Sequence, residues 1–91
     1  MPEETQLREY TQNTETLTVG DYLYTEKQFA NIPKGTYLRL KMLYEADGVI
    51  YAALGDYANA TGPEYDLPAK VVTNALGSKL SFREYDSQMH D

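Results

Sequence analysis

Residues 36–57 read TYLRLKMLYEA-DG-VIYAALGDY, and this stretch decides the fold. Over residues 36–46, Leu38, Leu40, Met42 and Tyr44 alternate with Tyr37, Arg39, Lys41, Leu43 and Glu45. A period of two is the signature of a strand with one buried face. Asp47-Gly48 follows, a pair suited to a two-residue hairpin turn because both turn positions need positive φ. Val49 to Tyr57 is then the returning strand. A two-residue turn fixes the register. It sets Ala46 opposite Val49, Tyr44 opposite Tyr51, Met42 opposite Ala53 and Leu40 opposite Gly55, and this apolar set is the expected core face. The other face pairs Glu45 with Ile50, Leu43 with Ala52, Lys41 with Leu54, and Arg39 with Asp56 as an exposed ion pair.

On the N-terminal side, LTVGDYLYT at 17–25 is rich in strand formers, interrupted at Gly20-Asp21 as by a turn or bulge. KQFANIPKG at 27–35 is a loop with Phe29 and Ile32 as anchors. On the C-terminal side, residues 58–68 are expected to be a loop punctuated by Gly62-Pro63 and Pro68. AKVVTNAL at 69–76 reads as a short strand, with a helical turn as the alternative for 70–76. Gly77-Ser78 is a turn and KLSFREY at 79–85 the last strand. Residues 1–16 are polar, with only Leu7 and Tyr10 large and apolar, and are expected to form a flexible arm; residues 86–91 are a polar tail. The expectation is one all-β domain over residues 17–85, a small barrel or strongly bent antiparallel sheet of four to five strands.

The order of these signals resembles the SH3-like small barrels, the group that includes Tudor, KOW and chromo-barrel domains. The residues that carry the resemblance are Val19-Gly20-Asp21-Tyr22-Leu23, Ile32-Pro33-Lys34-Gly35-Thr36, the Asp47-Gly48 hairpin, and Tyr65-Asp66-Leu67-Pro68 before Val71-Val72. It covers about residues 17–82 and implies a fold; a fold of this kind serves many functions.

Composition narrows the function. The chain has 91 residues, 8 Lys plus Arg against 14 Asp plus Glu, one His, no Cys, no Trp and nine Tyr. No disulfide, thiolate nucleophile or cysteine metal site is available. The one histidine, His90, lies in the tail, where nothing holds it as a general base. Asp56, Asn59, Glu64 and Asp66 do not match the spacing of a calcium loop. No catalytic residue, metal or cofactor is therefore expected. The longest uncharged apolar stretch, Val49–Gly55, falls far below the roughly 20 residues of a membrane span. Met1-Pro2-Glu3-Glu4 lacks the basic start of a signal peptide, so a cytoplasmic location is expected.

Charge is segregated along the chain. Residues 1–26 hold six acids and one base, residues 27–41 four bases and no acid, and residues 42–69 five acids and no base. Two binding sites follow from this. Asp47, Asp56, Tyr57, Glu64, Tyr65 and Asp66 form the leading candidate, an acidic, tyrosine-bearing surface that occludes a basic site on a larger protein partner. In its shortness, acidity and lack of cysteine the chain resembles small inhibitors encoded by phages and mobile elements, and an inhibitor of that kind is the expectation. Lys27, Lys34, Tyr37, Arg39 and Lys41 form the alternative, a surface that contacts RNA or DNA by phosphate pairing and stacking. A third reading is self-association, as a homodimer, through an exposed strand edge.

Overall fold

The computed structural model describes residues 5–56 and 62–83. Eight strands and one helix follow in order: β1 Thr5–Leu7, β2 Glu9–Gln12, β3 Glu15–Thr18, β4 Tyr22–Thr25, β5 Tyr37–Ala46, β6 Val49–Asp56, β7 Glu64–Pro68, α1 Ala69–Ala75 and β8 Leu80–Arg83. The main sheet is antiparallel in the order β7-β6-β5-β4-β8, with β1 also paired to β5. It curls strongly into a half-barrel. The all-β expectation therefore holds, with one short helix added.

The hairpin forms where the sequence places it. Asp47 and Gly48 adopt φ of 54° and 79°, and pairing runs from Ala46↔Val49 through Tyr44↔Tyr51 to Met42↔Ala53 as the straight register requires.

 

That last cross-strand pair, Met42 with Ala53, is where the straight register ends. A bulge between Leu40 and Met42 sets both Leu40 and Lys41 against Leu54, so that Arg39 faces Gly55 and Leu38 faces Asp56. This corrects two expectations. In the strand register Leu40, Arg39 and Leu38 each lie opposite a residue one place earlier in β6 than expected, and the core face changes parity along β5. Leu38 and Leu40 are buried before the bulge and Leu43 after it, while Met42 and Tyr44 turn to the opposite face. The physical reason is burial: a straight register sets the Lys41 ammonium against the apolar interior beside Leu54, at the cost of desolvating a charge.

The concave face of the sheet carries Leu23, Leu38, Leu40, Leu43, Ala52, Leu54 and Leu80, all fully buried. Two elements fill the concavity. The β2–β3 hairpin brings Leu17 and, partly, Tyr10; α1 brings Ala69, Val72 and Ala75. Residues 5–16 are thus strands β1, β2 and the start of β3, in place of the expected arm. Backbone pairing holds them: β1 lies antiparallel to β5 from Thr5↔Glu45 to Leu7↔Leu43. Residues 64–68, expected as loop, form β7 along β6.

Residues 69–75 take the helical alternative. Pro68 has no N–H for the next ladder bond, and Ala69, Val72 and Thr73 are buried at the i, i+3, i+4 spacing of a helix face. Polar contacts fix α1 to the hairpin. Gln12 Oε1 accepts hydrogen bonds from Thr73 Oγ1 and from Tyr10 OH, both at 3.0 Å. The loop after β4 is anchored as expected by buried Phe29 and Ile32. Thr25, also buried, donates from Oγ1 to the Pro33 carbonyl and accepts from the Thr36 N–H, each at 2.7 Å.

If the bulge sets the parity of β5, then removing one residue differs from truncating it. Lys41→Ala should cost no more than about 1 kcal/mol, because the side chain is exposed and its ion pair solvated. Deleting Lys41 should abolish the cooperative urea transition, since either Leu38 and Leu40 or Leu43 must then leave the core.

Candidate functional site

The convex face of the sheet carries the side chains that the core does not use. Strand alternation puts Tyr22 and Tyr24 of β4 there, with Tyr37, Arg39, Met42 and Tyr44 of β5, Tyr51 of β6, Glu64 and Asp66 of β7, and Ser81 and Arg83 of β8. Five half-buried tyrosines therefore share one face. Tyr24 and Tyr37 meet with ring centroids 4.8 Å apart, and the Arg83 guanidinium lies 5.2 Å from the centre of the Tyr24 ring. Tyr44 and Tyr51, read from sequence as core, stack at 5.4 Å on this same outer face.

Lys41 projects from the bulge onto the convex side. Its stem lies over Gly55, where an added Cβ would stand 2.7 Å from Lys41 Cδ. Its Nζ is 3.0 Å from Glu64 Oε2. Gly55 thus leaves the space in which the lysine stem packs. A small cleft of about 250 Å³ opens beside this pair, lined by Arg39, Lys41, Gly55, Asp56, Gly62, Pro63 and Glu64. A second, wider cleft of about 540 Å³ lies across β5, between the ends of β1 and β3, with Arg8, Glu9, Lys41 and Met42 in its wall.

The leading acidic site is only partly assembled. Asp56 and Glu64 share the smaller cleft, and Asp66 is exposed on the same face as Glu64. Asp47 sits in the turn at the far end of β6, roughly 25 Å away at about 3.3 Å per residue. Tyr65 faces the concave side opposite Leu54 and packs against the core. Tyr57 lies outside the described residues, as does His90. Of the alternative set, Tyr37, Arg39 and Lys41 share the convex face. Lys27 and Lys34 sit in the loop that joins β4 to β5, both exposed. The structure therefore joins Arg39 and Lys41 of one set to Asp56 and Glu64 of the other, in one cleft of mixed charge.

Tyr22 and Tyr24 are surface candidates in the sequence, but neither they nor Arg83 belong to either of the two candidate sets. The shared parity of Tyr22 and Tyr24 was visible, but their alignment with Tyr37 and Arg83 follows from the β4–β5 and β4–β8 pairings. Among the described residues, no three His, Asp or Glu side chains gather to hold a metal ion, and no helix is long and apolar enough to cross a membrane. The chain matches no family model, no curated protein and no solved structure.

The Lys41–Glu64 pair is half exposed on both sides, so Glu64→Gln should lower stability by less than about 1 kcal/mol. The difference from the parent chain should vanish in urea titrations at high salt, where exposed ion pairs are screened.

Proposed function

We propose that this chain is a non-catalytic protein-binding module, and that it engages its partner through the convex face around Tyr22, Tyr24, Tyr37 and Arg39. The observation that supports this is the gathering of three tyrosines and an arginine on one rigid face, beside the Tyr24–Arg83 contact. Tyrosine and arginine are the residue types that carry most binding energy at protein interfaces. Tyrosine offers a large, stiff surface with a polar tip and loses little rotamer freedom on binding. A sheet holds such side chains in fixed positions, so little ordering cost is added on association.

Occlusion of a basic partner site, as expected from the acidic residues, has less support. Glu64 is committed to Lys41, Asp47 stands apart, and Tyr65 is turned inward. The partner contact instead centres on aromatic area, with Arg39 and the mixed-charge cleft at its rim. Stacking on the same tyrosines also suits unpaired nucleic-acid bases, but the net charge of −6 opposes a phosphate backbone.

Affinity capture from a cell extract, with and without nuclease, tests the reading. A stoichiometric protein partner that survives nuclease should be lost with the Tyr37→Ala/Arg39→Glu variant and kept with Asp47→Lys. Binding that disappears with nuclease, or that depends on Asp47 and not on Arg39, would sink this assignment.

A further inference from the structure

The main sheet ends at β8 on one side and β7 on the other. Beside β8 the space is taken: Leu76 bridges Leu80, whose carbonyl accepts from the Gly77 N–H at 2.9 Å. On β7, the outward backbone groups can be assigned by alternation from the Asp47-Gly48 turn. The two-residue turn makes Ala46↔Val49 a hydrogen-bonded pair, so Tyr51, Ala53 and Gly55 aim toward β5, and Ala52 and Leu54 aim toward β7. Leu67 and Tyr65 are their partners. Glu64 and Asp66 are left aiming N–H and C=O away from the sheet, and Pro68, which has no N–H to offer, falls on the same outward side. Among the described residues, none bonds the outward N–H and C=O of Glu64 and Asp66.

The side chains of β7 select what can pair there. Glu64 and Asp66 are exposed on the convex side, while Tyr65 and Leu67 face the concave side, half-buried against the core. Glu64 shares its charge with Lys41, and Asp66 has no cation partner among the described residues. A second copy is a poor occupant. Any antiparallel register that pairs both outward residues within β7 sets Asp66 against Asp66 or against Glu64, and like charges directly opposite are destabilising. A strand with Lys or Arg at the two facing positions is accepted instead. An apolar residue between them continues the row of Tyr65 and Leu67.

We infer that β7 is a strand-addition site for an extended segment of another protein in which basic and apolar residues alternate. The segment pairs antiparallel with Glu64–Asp66. Each of its two basic residues donates its N–H to the carbonyl of Glu64 or Asp66 and accepts from the N–H of that same residue. Main-chain bonds carry this contact, and charge only chooses the strand. It therefore does not need the acidic surface to be assembled, and it is independent of the tyrosine face.

The probe is the acetylated, amidated peptide Lys-Val-Lys-Val-Lys, titrated into the full chain up to about 10 mM. The readout is amide exchange with water, followed by nuclear magnetic resonance. At a peptide concentration about ten times its dissociation constant, exchange at Glu64 and Asp66 should slow about tenfold, whereas Tyr65 and Leu67, already bonded to β6, should not change. Asp66→Lys should remove the effect; the position is exposed, and circular dichroism checks that the variant is folded. Glu-Val-Glu-Val-Glu should not produce the effect. Neither should the lysine peptide methylated on its lysine backbone nitrogens, which keeps the charge and loses the donors. No slowing at Glu64 and Asp66 up to about 10 mM overturns the inference. Equal slowing by the methylated or the glutamate peptide also overturns it, because the contact is then not strand addition by a basic segment. So does slowing that grows with protein concentration alone, which places a second copy on the edge.

Discussion

Leu40 and Lys41 together face Leu54, and that one extra residue turns the side chains of β5 over in the middle of the strand. Three consequences follow from it. Leu38 and Leu40 reach the core from one half of β5, and Leu43 reaches it from the other. Lys41 is delivered to the convex side, over Gly55 and against Glu64. The local twist that accompanies a bulge bends β5, the central strand of the sheet, and helps it curl. β5 changes partners across this same point: β4 pairs with it up to Arg39 and β1 from Leu43 onward. In the gap, Gly20 N–H donates to the Leu40 carbonyl and Leu40 N–H to the Asp21 carbonyl, both at 2.8 Å.

A half-barrel with an open concave side must fill it with something apolar. Here the filling comes from both ends of the chain. The β2–β3 hairpin and α1 press Leu17, Ala69, Val72 and Ala75 onto the leucines of the sheet. Gln12 and Thr73 tie these two elements to each other, so the buried polar groups where they meet are paired. In a domain this small every core side chain counts, because only roughly 60–65% of the unfolded chain's surface is buried on folding.

The hairpin was legible because its signals were local: alternation, Asp47-Gly48, alternation. The bulge was not, because Leu38, Leu40, Met42 and Tyr44 continue the alternation straight through it. Its trace was the misfit that a straight register leaves, with Lys41 opposite Leu54. The helix was obscured by Val71-Val72-Thr73, a β-branched run whose strand preference was overridden by Pro68 and by burial at Ala69, Val72 and Thr73. β1 and β2 were missed because backbone pairing with other strands holds them, and their own side chains are mostly exposed. The candidate surface was half visible. Tyr37, Arg39 and Lys41 were identified together, but Tyr22, Tyr24 and Arg83 join them only through strands far apart in the chain.

The convex tyrosine face descends from the parity that the bulge imposes, so its register is the point to test. In an antiparallel pair, opposed residues without mutual hydrogen bonds have the closest α-carbons, and their Hα atoms give strong nuclear Overhauser contacts. The measurement is the set of Hα–Hα contacts between β5 and β6 in the full chain. Contacts for Glu45–Ile50, Leu43–Ala52 and Leu40–Leu54 are predicted. Contacts for Lys41–Leu54 and Arg39–Asp56 in place of the last would mean a straight strand, and would contradict the account.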